Sequence, residues 1–276
     1  MSGQYVSPVR RVSNGKGHWY RDANGNRVPG VTTIIGDGVP KPALINWAGN
    51  ATADYAVDHW DELTAMMPSA RGNTLRKARY FDRDTAANRG TAVHNIAERL
   101  VHGNEVDVPD ELAGHVGSYV RFLDEWDVRP ILVERTVVSH RHGYAGTLDL
   151  LAELVDHSDI DAPPQVWLLD IKTNRFGIFG ETALQLAGYR YADVWMDQDD
   201  IEHPMPVVQR TGAIHVRADD YDLVPVEAGP EQHRDLLYAQ QVGRFLAQAN
   251  SLVGEPLKPW ATSTYRLLRE EQEAVL

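Results

Sequence analysis

The sequence predicts an α/β or α+β fold in which a mixed central β-sheet is flanked by helices. Three observations carry this. Up to about residue 130 the apolar positions recur mostly at helical spacing. At Ile131 the texture changes, and three β-branched, apolar runs follow one another: ILVERTVVS, YAGTLDLLAEL and QVWLLDIKT. After them comes a helix, two further strand-like runs and a closing helix, so the order reads α, βββ, α, ββ, α.

Each element has a local reason. HWYRDANGNRVPGVTTII reads as two short strands around Asn24-Gly25, a dipeptide suited to the positive φ angles of a tight hairpin turn. Pro40 and Pro42 break the chain, and a helix is expected over residues 43–59 with Leu44, Trp47 and Ala48 on its apolar face. Another helix is expected from Leu75 onward. A shorter one should begin after Arg89-Gly90-Thr91, run through TAVHNIAERLVHG and stop at Gly103. Residues 111–126 form an amphipathic helix that Pro130 closes. The three apolar runs are joined by SHRHG and VDHSDIDAPP, short enough for an antiparallel meander. GETALQLAGYRYADVW reads as a helix with small residues at Ala183, Ala187 and Gly188. RTGAIHVRA and DLVPVEA read as strands, and residues 231–253 as a long final helix. Two parts are expected: a hairpin and helical extension over 1–70, and a core over 71–276 that packs with it as one unit.

Composition narrows the function. A chain of 276 residues with 43% hydrophobic and 24% charged residues builds a sizeable core. No run of about 18 apolar residues predicts a membrane span, and the N-terminal MSGQYVSPVRRVSNGKG lacks the apolar stretch of a secretory signal. There is no cysteine, which excludes disulfides, thiolate nucleophiles, zinc ribbons and cysteine-held iron–sulfur clusters. A metal must then bind His, Asp, Glu or backbone oxygen, ligands suited to magnesium or manganese. The net charge of −12 argues against a nucleic-acid partner. Its distribution argues the other way. Between residues 71 and 89, Arg71, Arg76, Lys77, Arg79, Arg83 and Arg89 face only Asp82 and Asp84. Such an arm can contact phosphates, although charge alone favours a solvated helix face.

The chemistry gathers on the apolar runs. In VWLLDIKT, alternation puts Val166, Leu168, Asp170 and Lys172 on one face, so a carboxylate and an ammonium emerge together from an apolar strand. An isolated D-x-K tripeptide is common and carries nothing alone. Asp149, however, interrupts the preceding apolar run between Leu148 and Leu150, and a carboxylate there needs a partner. If the two strands pair, Asp149 and Asp170 converge into a divalent-cation site with a lysine beside it. His94 offers a nitrogen from a helix. Glu98 lies four residues on, and the same spacing puts Gln185 and Tyr189 on one helix face.

The ordered set Gly90–His94 (G-x-x-x-H), Gly146–Asp149 (G-x-x-D), Asp170–Lys172 (D-I-K) and Gln185–Tyr189 (Q-x-x-x-Y) resembles the RecB-like branch of the PD-(D/E)XK nuclease superfamily, in its stand-alone phage and prokaryotic form. The resemblance covers roughly residues 90–191, and PGVTTIIGDGVPKPALINWA also looks like the opening of such members. It implies a restriction-endonuclease-like core. It also implies that His94, Asp149 and Asp170, with the Ile171 carbonyl, bind Mg²⁺ or Mn²⁺. Lys172 would position or deprotonate the attacking water, and Gln185 and Tyr189 would shape the DNA side of the site. Where the superfamily name has Pro-Asp, Leu148 precedes Asp149. Relatives with a four-cysteine iron–sulfur cluster are not a guide, since the cysteines are missing here.

The resemblance implies a DNA exonuclease of recombination, repair or replication. A structure-specific endonuclease and a non-catalytic DNA-binding protein on the same fold are the alternatives. No G-x-x-x-x-G-K-[ST] loop occurs, so a helicase, like a recombinase or a single-strand-binding protein, would be a separate partner. The expected setting is the cytoplasm of a bacterial cell or a phage-infected host, with no membrane contact.

Overall fold

The computed structural model describes residues 7–14, 17–101, 104, 106–155, 163–174, 177–257 and 262–274, with only the backbone at 43–44, 81–89 and 262–265. The chain opens with strands β1 (Arg10–Ser13), β2 (His18–Arg21) and β3 (Arg27–Val28), then helices α1 (Val31–Gly38), α2 (Pro42–Asp58), α3 (Trp60–Ala65) and α4 (Pro68–Val101). A 3₁₀ turn (Asp110–Leu112) leads into α5 (Ala113–Glu125). Next come β4 (Arg129–Ser139), β5 (Tyr144–Leu154), β6 (Gln165–Lys172) and α6 (Glu181–Arg190). Strands β7 (Val194–Met196), β8 (Glu202–Pro204), β9 (Arg210–Val216) and β10 (Tyr221–Pro225) follow, then α7 (Pro230–Gln248) and, after a second 3₁₀ turn (Ala249–Leu252), α8 (Thr262–Glu273).

The fold is α+β, as the sequence predicts. Strands β1–β3 form a small antiparallel sheet, and a seven-stranded mixed sheet has the order β10-β9-β6-β5-β4-β7-β8. Strands β4, β5 and β6 make the expected antiparallel meander, while β6 and β9 pair in parallel. Helices cover both faces. Val31, Ile34 and Ile35 of α1, Leu186 of α6 and Leu236 of α7 pack on Leu148, Leu151 and Leu168. On the other face, Ala97 of α4 with Tyr119 and Phe122 of α5 packs on Leu150, Leu169 and Ile214.

Several expectations are corrected. VTTII is helical, not extended. Its β-branched residues favour strands weakly, but Val31, Ile34 and Ile35 at i, i+3 and i+4 give a helix one face to bury, and packing outweighs propensity. The two helices expected around Gly90 are one continuous helix, α4. A mid-helix glycine costs about 1 kcal/mol, and the burial of Val93, Ile96 and Ala97 beyond it outweighs that. Gly103, the expected stop, lies outside the described residues. The line drawn between residues 70 and 71 falls inside α4, and α1 belongs to the main core. The short strands β1, β7 and β8 and the helix α3 are too brief for periodicity to reveal. Among the described residues no helix is long and apolar enough to cross a membrane.

Candidate active site

The site is built where the central sheet forks. Pairing between β5 and β6 runs from Leu154–Gln165 to Leu150–Leu169 and ends there. Strand β6 continues beside β9 as far as Lys172–His215, while β5 stays with β4. Across the opening, the Ile171 N–H donates to Asp149 Oδ2 at 2.7 Å in place of a strand partner. The Ile171 carbonyl accepts from His94 Nε2 at 2.9 Å. Both backbone polar groups of the buried Ile171 are thereby satisfied by site side chains.

A slip in strand alternation aims the acids. Leu132 and Val137 face the same helical layer although their positions differ by an odd number, as do Leu148 and Leu151. Strict alternation therefore fails once in each strand. In β4 the break coincides with Glu134, whose φ of 49° lies in the left-handed region. That conformation costs a non-glycine residue on the order of 1–3 kcal/mol and concentrates at functional sites. The slip turns Glu134 and Asp149 toward α4. There His94 Nδ1 lies 3.6 Å from Glu134 Oε1 and 3.6 Å from Asp149 Oδ2. One ligand atom from each of His94, Glu134 and Asp149 fits within a 4.8 Å span, a group able to hold a metal ion.

The opposite side of the fork carries the lysine. Asp170 is 1% exposed. Its Oδ1 accepts from Gln185 Nε2 at 2.6 Å, Gln185 Oε1 accepts from Lys172 Nζ at 3.2 Å, and Gln185 Nε2 also reaches the Tyr189 hydroxyl at 3.2 Å. This network fixes which end of the Gln185 amide is oxygen. Asp170 Oδ2 lies 2.6 Å from Lys172 Nζ. The ammonium and the buried carboxylate form an ion pair. Gly146 makes room for the wall: a Cβ there would come within 2.5 Å of the Tyr189 ring. Gly90 has no such duty, since its Cβ would make only an ordinary contact with Thr173.

Buried charge sets the protonation. Burial lowers the His94 pKa, but Asp149, Glu134 and Asp170 outweigh it and hold the imidazole at about 9. Burial raises Asp149, and Glu134 adds to the rise. Burial and the Asp149 carboxylate raise Asp170. Burial pulls the Lys172 ammonium down, yet Asp170, Asp149 and Glu181 together hold it above its ordinary value. Burial pushes the Tyr189 phenol well up. Three carboxylates are thus crowded around one histidine and one lysine, and extra positive charge is favoured there.

The structure brings together His94, Asp149, Asp170, Ile171, Lys172, Gln185 and Tyr189, all expected from the sequence. It divides them differently. Asp170 is not in the group with His94, because its carboxylate projects from the other face of the fork to Lys172 and Gln185. Glu134 takes that place. It was missed, although a signal existed: Glu134 interrupts ILVERTVVS as Asp149 interrupts its own run. Glu181 was also missed. It lies one turn before Gln185 and accepts from Lys41 Nζ at 2.8 Å. On the basic arm, Arg76, Lys77 and Arg79 are exposed. Arg71 has another role. Its guanidinium donates to the carbonyls of Leu63, Thr64 and Met66, closing the C-terminal end of α3. The side chains of Arg83 and Arg89 lie outside the described residues.

His94, Glu134 and Asp149 could hold a metal ion, with one imidazole and two carboxylates, and the Ile171 carbonyl adjoins them. Without cysteine, a cysteine-held iron–sulfur cluster is excluded. No protein-family model matches the chain, and no curated protein matches its sequence.

Proposed function

We propose that this protein is a divalent-metal-dependent deoxyribonuclease of the RecB-like PD-(D/E)XK type, working as an exonuclease in DNA recombination, repair or replication. The observation that supports it is the fork between β5 and β6, which sets Asp149 with a histidine–glutamate pair on one side and Asp170 with a lysine on the other.

His94, Glu134 and Asp149 would hold Mg²⁺ or Mn²⁺, with Asp170 and the Ile171 carbonyl adjoining. A bound ion of this kind lowers the pKa of its water and draws charge from a phosphate oxygen. The protein's own groups do the rest. In the metal-free protein Asp170, Asp149 and Glu181 favour the protonated Lys172 ammonium over the cost of its burial. Lys172 would set that positive charge beside the attacking water and against the charge that develops on the phosphorane. Gln185 holds Asp170 and Lys172 in register through one amide. Tyr189, packed on Gly146, closes the wall behind them and excludes solvent. The exposed Arg76, Lys77 and Arg79 offer phosphate contacts outside the site.

The test uses end-labelled linear DNA and covalently closed circular DNA, each with Mg²⁺, with Mn²⁺ and with neither. Metal-dependent release of short products from the linear form alone is expected. Cutting of the closed circle would make the enzyme an endonuclease. Absence of cutting of either form with either metal would overturn the nuclease reading.

A further inference from the structure

The geometry points to a second DNA site: we propose that the groove between α2 and α4 docks a single-stranded segment of DNA and feeds it along α4 toward the fork. This rests on the nuclease reading and specifies the substrate as a strand with unpaired bases.

The groove has a volume of about 710 Å³. Ile45, Ala48 and Gly49 of α2 form one wall, Leu75 of α4 the other, and Arg76 and Arg79 stand at the rim. Among the described residues no carboxylate lines it, in a protein whose net charge is −12. Two features of its wall have no explanation in the protein's own packing. Ile45 is 74% exposed. Gly49 sits in the middle of a 17-residue helix, where glycine weakens the helix. A Cβ at Gly49 would meet nothing within 4 Å, so no neighbouring group requires the glycine. An apolar slot rimmed by guanidinium groups matches a polyanion that carries flat apolar bases. Phosphates pair with the arginines, and unpaired bases enter the slot. The Arg79 guanidinium lies 4.7 Å over the Tyr80 ring and donates to its hydroxyl at 2.6 Å, contacts that hold the arginine beside the groove. A duplex keeps its bases inside and has nothing to place there.

Helix α4 joins this groove to the site. Arg76 precedes His94 by five turns of 3.6 residues, so the two lie on one face of the helix, about 27 Å apart at 1.5 Å per residue. At about 3.4 Å per stacked nucleotide, that span corresponds to roughly eight nucleotides. A strand seated in the groove therefore reaches the fork only if it extends that far.

The test pairs a rim variant, Arg76→Ala/Arg79→Ala, with a plug, Gly49→Leu. The plug fills the slot from open space and replaces glycine with a strong helix former, so its melting temperature should not fall. Binding of fluorescein-labelled dT12 and of a blunt 12-base-pair duplex is read by anisotropy without divalent metal. The plug should weaken dT12 binding roughly tenfold and leave the duplex unchanged. The rim variant should flatten the slope of log K against log salt by about 1.4, twice the single-strand value of about 0.7 per phosphate contact. With Mg²⁺, wild type should cut dT20 faster than dT6, and the plug should erase that difference. Wild-type dT12 binding and salt slope in both variants would overturn the proposal while leaving metal-dependent cleavage intact. The same result with a changed sedimentation coefficient would make the groove a protein-docking surface and equally overturn it. Failure of the nuclease reading looks different: no DNA is cut with any metal, yet dT12 still binds through the groove.

Discussion

Residues 68–80 and 90–101 belong to the same helix, α4, and live in different surroundings. The later segment buries Val93, Ile96 and Ala97 and holds His94 against the sheet fork. In the earlier segment only Ala78 is buried, and Arg76, Lys77 and Arg79 stand in solvent beside the groove. The difference teaches how one rigid element serves two tasks. Chemistry needs charged groups fixed within tenths of an ångström, which only a packed core supplies. Capture of a strand needs exposed cations, which a core cannot hold.

If the two segments are functionally separate, removing the fork's charges should abolish chemistry and spare capture. Asp170→Ala or Lys172→Ala should lower the rate of metal-dependent cleavage by on the order of a hundredfold or more. Binding of dT12 should stay at the wild-type level. Wild-type cleavage in either variant would remove that residue from the site, and a parallel loss of dT12 binding would show that arm and fork act as one surface.

Glycine substitutions probe the same contrast in stability. Gly146→Ala drives a methyl group to within 2.5 Å of the buried Tyr189 ring. Overpacking of this kind costs roughly 1–3 kcal/mol, measured as a shift in the urea midpoint. Gly72→Ala, on the arm, would meet only the flexible Arg76 guanidinium at 3.6 Å. There the gain in helix propensity should dominate, up to about 1 kcal/mol in the stabilising direction. Equal shifts at both positions would mean that the arm is packed as tightly as the core.

The same contrast decides what was legible. Asp149, Asp170 and Lys172 stood out because a charge in an apolar strand has a cost that sequence alone reveals. Helical spacing put Gln185 and Tyr189 on one face, but their place at the site rested on the family resemblance. Glu134 obeyed the same rule and was passed over, because ERT looks like the polar phase of an edge strand until the slip at Glu134 turns it inward. The fork was not legible, since it consists of hydrogen bonds that β5 and β6 do not make, and strand pattern records only those they can. Arg71 was read by its charge, but its use at the end of α3 depends on where three carbonyls fall in space. The groove needs two helices side by side, so no single stretch of sequence contains it.

The smallest expected effect compares two half-buried histidines. At His94, nearby carboxylates override burial and raise the pKa to about 9. His233 lies in a cluster of a different kind. Its ring stacks on Tyr191, meets His142 edge-on and touches the Tyr144 hydroxyl at 3.0 Å. That hydroxyl gives its one hydrogen to the Gly188 carbonyl, so the His233 Nε2–H donates to the Tyr144 oxygen. Burial, then His142, lowers the His233 pKa, and Asp193 opposes them only in part. A histidine whose folded pKa is depressed favours the folded state while neutral. Its contribution is complete above the unfolded value of about 6.5 and is lost as pH falls through the lower folded value. At His94 in the metal-free protein the sign is reversed: the contribution is complete below about 6.5 and is lost as pH rises through about 9. His233→Gln should therefore lose stability relative to wild type near pH 7.5, with the deficit shrinking as pH falls below about 6.5. Urea melts of both proteins at a series of pH values measure this difference. A deficit that grows toward acid would mean that protonated His233 is favoured in the fold and that Asp193, not burial, governs it.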